Sequence, residues 1–305
     1  MTSTPSPTLM DAAALSSLTA DGRLRLAIPN KGRLMEPTVA LLRDAGISFE
    51  NGTRSLFARV EDHPIDILSV RTDDIAEFVA DGVADLGITG TNLLVEAEVV
   101  LPIALELGYG RCRLEAAVPT DHPAQGLDDL AGLRIATSHP RSTRRVFADR
   151  GIAVEIVPIS GAVEVAPRLG VADAIVDLVS TGSTLAMNGL RRIGELVRSE
   201  AIVVRSPTPD PSRQAIADEL LTMLGAVVAG RRVKYLMMNA PSLALTTIES
   251  LLPGLESPSV IPLAHEGMVA VHAVVPSRDV HTLLPKLRAA GASGILVIPV
   301  EKLLP

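Results

Sequence analysis

The stretch Ile65-Asp66-Ile67-Leu68-Ser69-Val70, followed by Arg71-Thr72-Asp73 to Asp81, Gly82, and then Ala84-Asp85-Leu86-Gly87-Ile88-Thr89, sets the fold class. Two apolar runs of strand length flank a segment of helical periodicity that stops at a glycine. Strand, helix and strand in alternation predict a mostly parallel α/β sheet. Ligands of such sheets bind at loops beyond the carboxyl ends of the strands.

Working outward, Leu24–Pro29 reads as a strand leading into Asn30-Lys31-Gly32-Arg33, and Glu36 to Ala45 as a helix. Lys31, Arg33, Arg71, Asp73 and Gly90 all fall in loops that follow strands. From about Cys112 the pattern restarts. Leu133–Thr137, Val154–Pro158 and Ala174–Val179 read as strands, Ser142 to Arg150 as a helix, and Gly161 to Leu169 as a further helix. After the Pro207–Pro211 linker comes a long helix, Ser212 to Ala229. The remainder reads βαββαβ, a ferredoxin-like order, with Pro285 expected to kink or interrupt its second helix. The pattern thus marks a tail over 1–20, two successive α/β units and a C-terminal unit over 233–305.

Composition narrows the partners. Hydrophobic residues make up 47% of 305, enough for real cores. A net charge of −7, with four Phe, two Tyr and no Trp, argues against nucleic-acid binding, which needs clustered cations and stacking platforms. No apolar run is long enough for a membrane span. Residues 1–20 lack the basic and apolar regions of a signal peptide, so the cytoplasm is the expected compartment. Cys112 is the single cysteine and the six histidines show no paired metal spacing; a structural or surface role is expected for each histidine.

The richest chemistry lies in Asp173-Ala174-Ile175-Val176-Asp177-Leu178-Val179-Ser180-Thr181-Gly182-Ser183-Thr184-Leu185. An apolar run ends in small hydroxyl residues around one glycine. Backbone N–H groups and hydroxyls there can cradle a phosphate, aided by a following helix. Asp173 and Asp177 can accept hydrogen bonds from ribose hydroxyls or hold Mg²⁺. The same pattern also describes an ordinary strand end with a helix cap.

These pieces, with Asn30–Leu34, Val70–Ile75, Asp85–Gly90, Gly161–Pro167 and Gly291–Leu296, resemble the long, histidine-regulated form of ATP phosphoribosyltransferase, over about residues 23 to 305. The resemblance implies two α/β domains arranged like a type II periplasmic binding protein, the first over 21–113 plus 206–232 and the second over 114–205, plus a small C-terminal domain over 233–305 similar to ACT domains. It implies transfer of the phosphoribosyl group from phosphoribosyl pyrophosphate to N1 of ATP, with Mg²⁺ and release of pyrophosphate. By the same resemblance Ser180, Thr181, Gly182, Ser183 and Thr184 hold the 5-phosphate. Asp173, Asp177 and Glu164 serve the ribose and Mg²⁺. Lys31, Arg33 and Arg71 neutralise pyrophosphate or triphosphate, and Asp73 and Gly90 shape the nucleotide side. Leu255, Ser257 and Ser259 match the loop that holds the inhibitor histidine, and a homo-oligomer, dimer to hexamer, is expected. Met268 and Pro285 depart from the family pattern in that C-terminal module. A non-catalytic ligand binder of the same fold is the competing class, since fold alone does not fix function. A Rossmann-like phosphoribosyltransferase is disfavoured, because its two acidic residues are adjacent and these are separated by three.

Overall fold

The computed structural model describes residues 22–50, 56–180, 182–252 and 257–304; Thr181 and Leu255 lie outside them. The chain divides into two compact units, Met1–Ala40 with Ile47–Leu220, and Leu41–Gly46 with Leu221–Pro305.

The first unit holds two sheets. Strands β1 (Leu24–Pro29), β2 (Phe57–Arg59), β3 (Ile65–Val70), β4 (Leu86–Gly90) and β5 (Ile103–Glu106) begin the first. The chain then builds the second from β6 (Cys112–Pro119), β7 (Arg134–Thr137), β8 (Glu155–Pro158), β9 (Ala174–Val179) and β10 (Leu190–Ser199), and returns to the first as β11 (Ala201–Arg205). The orders are β2-β3-β1-β4-β11-β5 and β10-β6-β9-β7-β8. Each sheet thus repeats one scheme: three parallel strands with the first in the middle, then a strand of opposite direction, then an edge strand. This twofold scheme is the type II periplasmic-binding arrangement the sequence led us to expect.

Parallel strands are covered on both faces and read as continuous apolar runs. Accordingly every residue of β1 and β4 is buried. The unit's helices are α1 (Met35–Ala45), α2 (Ile75–Ala80), α3 (Thr91–Ala97), α4 (Pro140–Asp149) and α5 (Ser183–Met187); α6 (Gln214–Arg231), like α1, carries residues of both units. Helix α2 lies so close to β4 that a Cβ on Gly87 would come within 2.7 Å of the Ile75 and Val79 methyls. Only glycine admits that approach.

The lobe boundaries shift from those read in the sequence. Cys112 and Arg113 already pair in the second sheet, and Ala201–Arg205 already pairs with β4 in the first. The crossings therefore fall before Cys112 and at Glu200. The expected helix from Gly161 to Leu169 is a single 3₁₀ turn, Val163–Val165. Ala162 is left-handed at φ 49°, and Pro167 has no N–H to continue a helical ladder.

The second unit contains β12 (Val233–Pro241), α7 (Leu245–Leu251), β13 (Ser259–Pro262), β14 (Met268–Pro276), α8 (Val280–Ala289) and β15 (Ser293–Pro299) in an antiparallel sheet of order β13-β14-β12-β15. This is the βαββαβ unit expected. Leu236, Met238, Val271 and Val275 pack against Ile248, Leu283 and Leu287 on one face. Pro285 does not break α8. Its ring sits on the exposed side, while Leu283 and Leu287 anchor the helix to the core on either side of it.

Candidate functional site

The hydroxyl loop leaves the carboxyl end of β9. Ser180, Ser183 and Thr184 are exposed, and Gly182 takes a left-handed φ of 86° at the start of α5. The first amides of a helix have no intrahelical acceptor and point toward an incoming anion. A Cβ on Gly182 would lie 3.7 Å from Arg192 Nε, so a guanidinium sits directly beside the loop. Arg192 and Arg113 flank the buried carboxylate of Glu115, at 3.5 and 3.0 Å. Glu115 is itself the cross-strand neighbour of Asp177. One acid thus orients two cations on the face that carries the loop. Neither Glu115 nor Arg192 stood out in the sequence; the register of β6, β9 and β10 brings them together.

Asp177 is half-buried, and its Oδ1 accepts the Leu178 N–H at 2.8 Å. Burial pushes its carboxyl above the usual range; Glu164 adds to this, and His139 opposes it. Asp177 and Glu164 are both half-buried and feel one another's charge. Asp173 does not join them. It sits at the amino end of β9, where its carboxylate accepts two bonds from the Arg134 guanidinium, at 2.9 and 3.2 Å, and a third from the Arg134 main chain at 3.0 Å. Those bonds hold its carboxyl below the usual range. Ser180 is seven residues further on, about 23 Å at strand rise. The expected role for Asp173 at the ribose hydroxyls or Mg²⁺ gives way to one of joining β7 to β9.

A cleft of ≈ 550 Å³ opens beside the loop, lined by Thr91 of the first lobe, Arg111 to Arg113, Val179 and Ser180, and Arg198 to Glu200. Its walls are the two crossings between lobes, which is why Arg198 meets Arg111 and Arg113 there. From the first lobe, the Arg33 guanidinium donates to Cys112 Sγ. Gly90 is buried, and a Cβ there would be 2.7 Å from Asn92 Oδ1 and 3.3 Å from Ser199 Oγ. Lys31, Arg71 and Asp73 are exposed at the carboxyl ends of β1 and β3. The buried His139 feels Asp73 and Arg33 from one lobe and Asp177 from the other; burial dominates and pushes its imidazole below the usual value. Groups from both lobes therefore converge. Asn30 Oδ1, at the head of the Lys31–Arg33 loop, is buried without a hydrogen-bond partner. In the second unit, Ser257 and Ser259 are exposed beside and at the start of β13.

Among the described residues no group of three His, Cys, Asp or Glu could hold a metal by itself, and no helix is long and apolar enough to cross a membrane.

Fold and site define a two-lobed α/β protein with an arginine-lined cleft beside an exposed hydroxyl turn, followed by a ferredoxin-like unit. The ATP phosphoribosyltransferase family profile matches residues 71–226, and that of the HisG C-terminal domain matches 230–302. The chain is 44% identical over 280 residues to an ATP phosphoribosyltransferase of Cytophaga hutchinsonii, covering 92% of this chain and 98% of the relative. It is 45% identical over 292 residues to one of Gemmatimonas aurantiaca, covering 92% and 100%. The solved ATP phosphoribosyl transferase (HisG:HisZ) complex of Thermotoga maritima contains a chain that superposes with a TM-score of 0.59 at 33% identity, covering 66% of this chain and 95% of that one. The chain belongs to the ATP phosphoribosyltransferase family, in its long form with the C-terminal domain.

Proposed function

We propose that the family reaction, transfer of the 5-phosphoribosyl group from phosphoribosyl pyrophosphate to N1 of ATP as the first step of histidine biosynthesis, runs in the interlobe cleft. The single observation that carries this is the set of exposed hydroxyls of Ser180, Ser183 and Thr184 at the carboxyl end of β9, with the Arg192 guanidinium beside Gly182. The 5-phosphate takes the loop amides and hydroxyls, with Arg192 supplying charge. Asp177 and Glu164 accept the ribose hydroxyls, and their negative charge faces the anomeric carbon as it becomes oxocarbenium-like. The pyrophosphate leaves toward Arg113 and the basic crossings, while N1 of adenine attacks from the opposite face. Arg33, Lys31 and Arg71 neutralise the triphosphate. Asp73, Gly90 and the unpartnered Asn30 Oδ1 serve the nucleotide side, the last as an acceptor for a ligand N–H or O–H.

Mg²⁺ fits as a substrate-borne ion. Asp177 and Glu164 offer two carboxylates, and the phosphates and water would complete its oxygen shell. When bound it offsets charge on the departing pyrophosphate. No nucleophilic side chain is required, because orientation and charge neutralisation carry the transfer.

The C-terminal unit is proposed as the effector domain, with histidine held near Ser257 and Ser259 and with Leu255. Exposed Val260, Ile261, Leu296, Val297 and Ile298 on its strands suit burial in a homo-oligomer, dimer to hexamer. We place the chain in the cytoplasm. Incubation of the purified chain with ATP, phosphoribosyl pyrophosphate and Mg²⁺, followed by the absorbance of phosphoribosyl-ATP, tests the reaction. Added histidine and light scattering test the other two readings. Absence of product refutes the function.

A further inference from the structure

Besides the Arg33–Cys112 contact, the two lobes of the first unit are tied by a set of hydrogen bonds that starts from one short helix, α3. At the head of α3, Asn92 Oδ1 accepts the Ser199 hydroxyl at 2.6 Å, and the Asn92 N–H donates back to the same oxygen at 3.1 Å. Asn92 Nδ2 faces His139 Nε2 at 3.4 Å. One turn later Glu96 spans the gap. Its Oε2 accepts the Ser142 N–H at 2.8 Å and its Oε1 the Arg141 N–H at 3.0 Å. Arg141 and Ser142 belong to the first turn of α4, whose amides lack intrahelical acceptors and sit at the positive end of the helix dipole. His139, the N-cap residue of α4, makes no side-chain cap hydrogen bond. The cap comes instead from the opposite lobe.

That arrangement has a consequence for transfer between two substrates. The 5-phosphate loop belongs to the second lobe and the Arg33 and Asp73 loops to the first. Their separation depends on the angle between lobes, which local packing within either lobe does not set. A bidentate charge-assisted cap fixes that angle at one point, and the Asn92–Ser199 pair fixes it at the crossing strand. We propose that Glu96 is a positioning residue: a carboxylate clamp that caps the facing lobe's helix and holds the lobes at the separation the transfer needs. Glu96 touches no substrate. Only its kinetic consequence rests on the transferase reading above.

The test compares Glu96→Ala, Glu96→Gln and Glu96→Asp in the full chain by hydrogen exchange and kinetics. Amides of the peptide spanning Arg141 and Ser142 exchange about tenfold or more faster in Glu96→Ala, the scale of a lost hydrogen bond to a charged group. Glu96→Asp, which keeps the charge, recovers part of that protection. Loss of mutual placement lowers kcat by about tenfold or more while each KM stays within about threefold. Unchanged exchange in both Glu96→Ala and Glu96→Gln overturns the clamp. Faster exchange with unchanged kcat overturns the positioning role and leaves a plain helix cap. Should Glu96→Ala fail to fold, Glu96→Gln carries both readings, since its amide nitrogen has no lone pair for the second N–H. A wild-type chain without transferase activity refutes the reaction, whereas exchange still decides the clamp.

Discussion

The two ends of β9 carry the same residue type and put it to opposite uses. At the amino end Asp173 accepts three bonds from Arg134, and its carboxyl is held below the usual range. Nearer the carboxyl end Asp177 accepts the next residue's N–H, and burial, with the charge of Glu164 adding to it, pushes its carboxyl up. One aspartate has its lone pairs filled by a neighbouring strand. The other keeps acceptor capacity where the loop opens to the cleft. The sheet is polarised in this way where β7, β8 and β9 run parallel, so their carboxyl ends and following loops emerge on one side.

The sharpest way to break the comparison is to spoil the carboxyl end. Thr184→Glu sets a carboxylate against the bound phosphate. At about 4 Å and an effective dielectric of about 20 the repulsion is of order 4 kcal/mol, roughly a thousandfold in kcat/KM for phosphoribosyl pyrophosphate. Steady-state kinetics with that substrate varied checks this, and a wild-type value removes the phosphate from the loop.

Asp177→Asn follows. It keeps the shape and loses the charge facing the anomeric carbon, so kcat drops on the order of a hundredfold, the scale of one preorganised electrostatic contact. Stability moves the other way. A carboxyl whose folded pKa is raised costs stability as pH rises through its ordinary value. Asn carries no such cost, so Asp177→Asn melts at or above the wild-type temperature at pH 7. A loss of both activity and stability would mean that Asp177 is a packing residue.

The parallel strands were legible because burial on both faces leaves continuous apolar runs, as in Leu24–Pro29 and Ala174–Val179. The exposed hydroxyl turn at the end of β9 was legible because small polar residues around one glycine stop an apolar run, a pattern that serves a helix cap as well as a phosphate. The distinction between Asp173 and Asp177 was not drawn, although strand rise alone separates Asp173 from Ser180; the compact motif invited both acids into one site. Glu115, Arg192 and His139 were illegible for a different reason. Each reaches the site through register or lobe apposition, 47 positions apart for Asn92–His139 and 77 for Glu115–Arg192, and no local pattern marks them. Pro285 misled because helix propensity was weighed without the tertiary anchors Leu283 and Leu287.

The smallest expected effect lies at the amino end. Asp173→Asn leaves kcat/KM within about twofold, since no part of the ligand reaches that end of the strand. It weakens the tie between β7 and β9. The ion pair is partly exposed on both sides, so solvent discounts it, and the melting temperature falls by only roughly 2 °C at pH 7. The pH dependence has a definite sign. Asp173 has a depressed folded pKa, so its contribution is present above the ordinary carboxylate value of about 4 and fades as pH falls toward the depressed one. The gap between wild type and Asp173→Asn therefore closes below about pH 4 and stays constant above pH 6. Melting curves at a series of pH values show this directly. A variant that melts like wild type throughout yet turns over far more slowly would return Asp173 to the catalytic end and undo the contrast between the two aspartates.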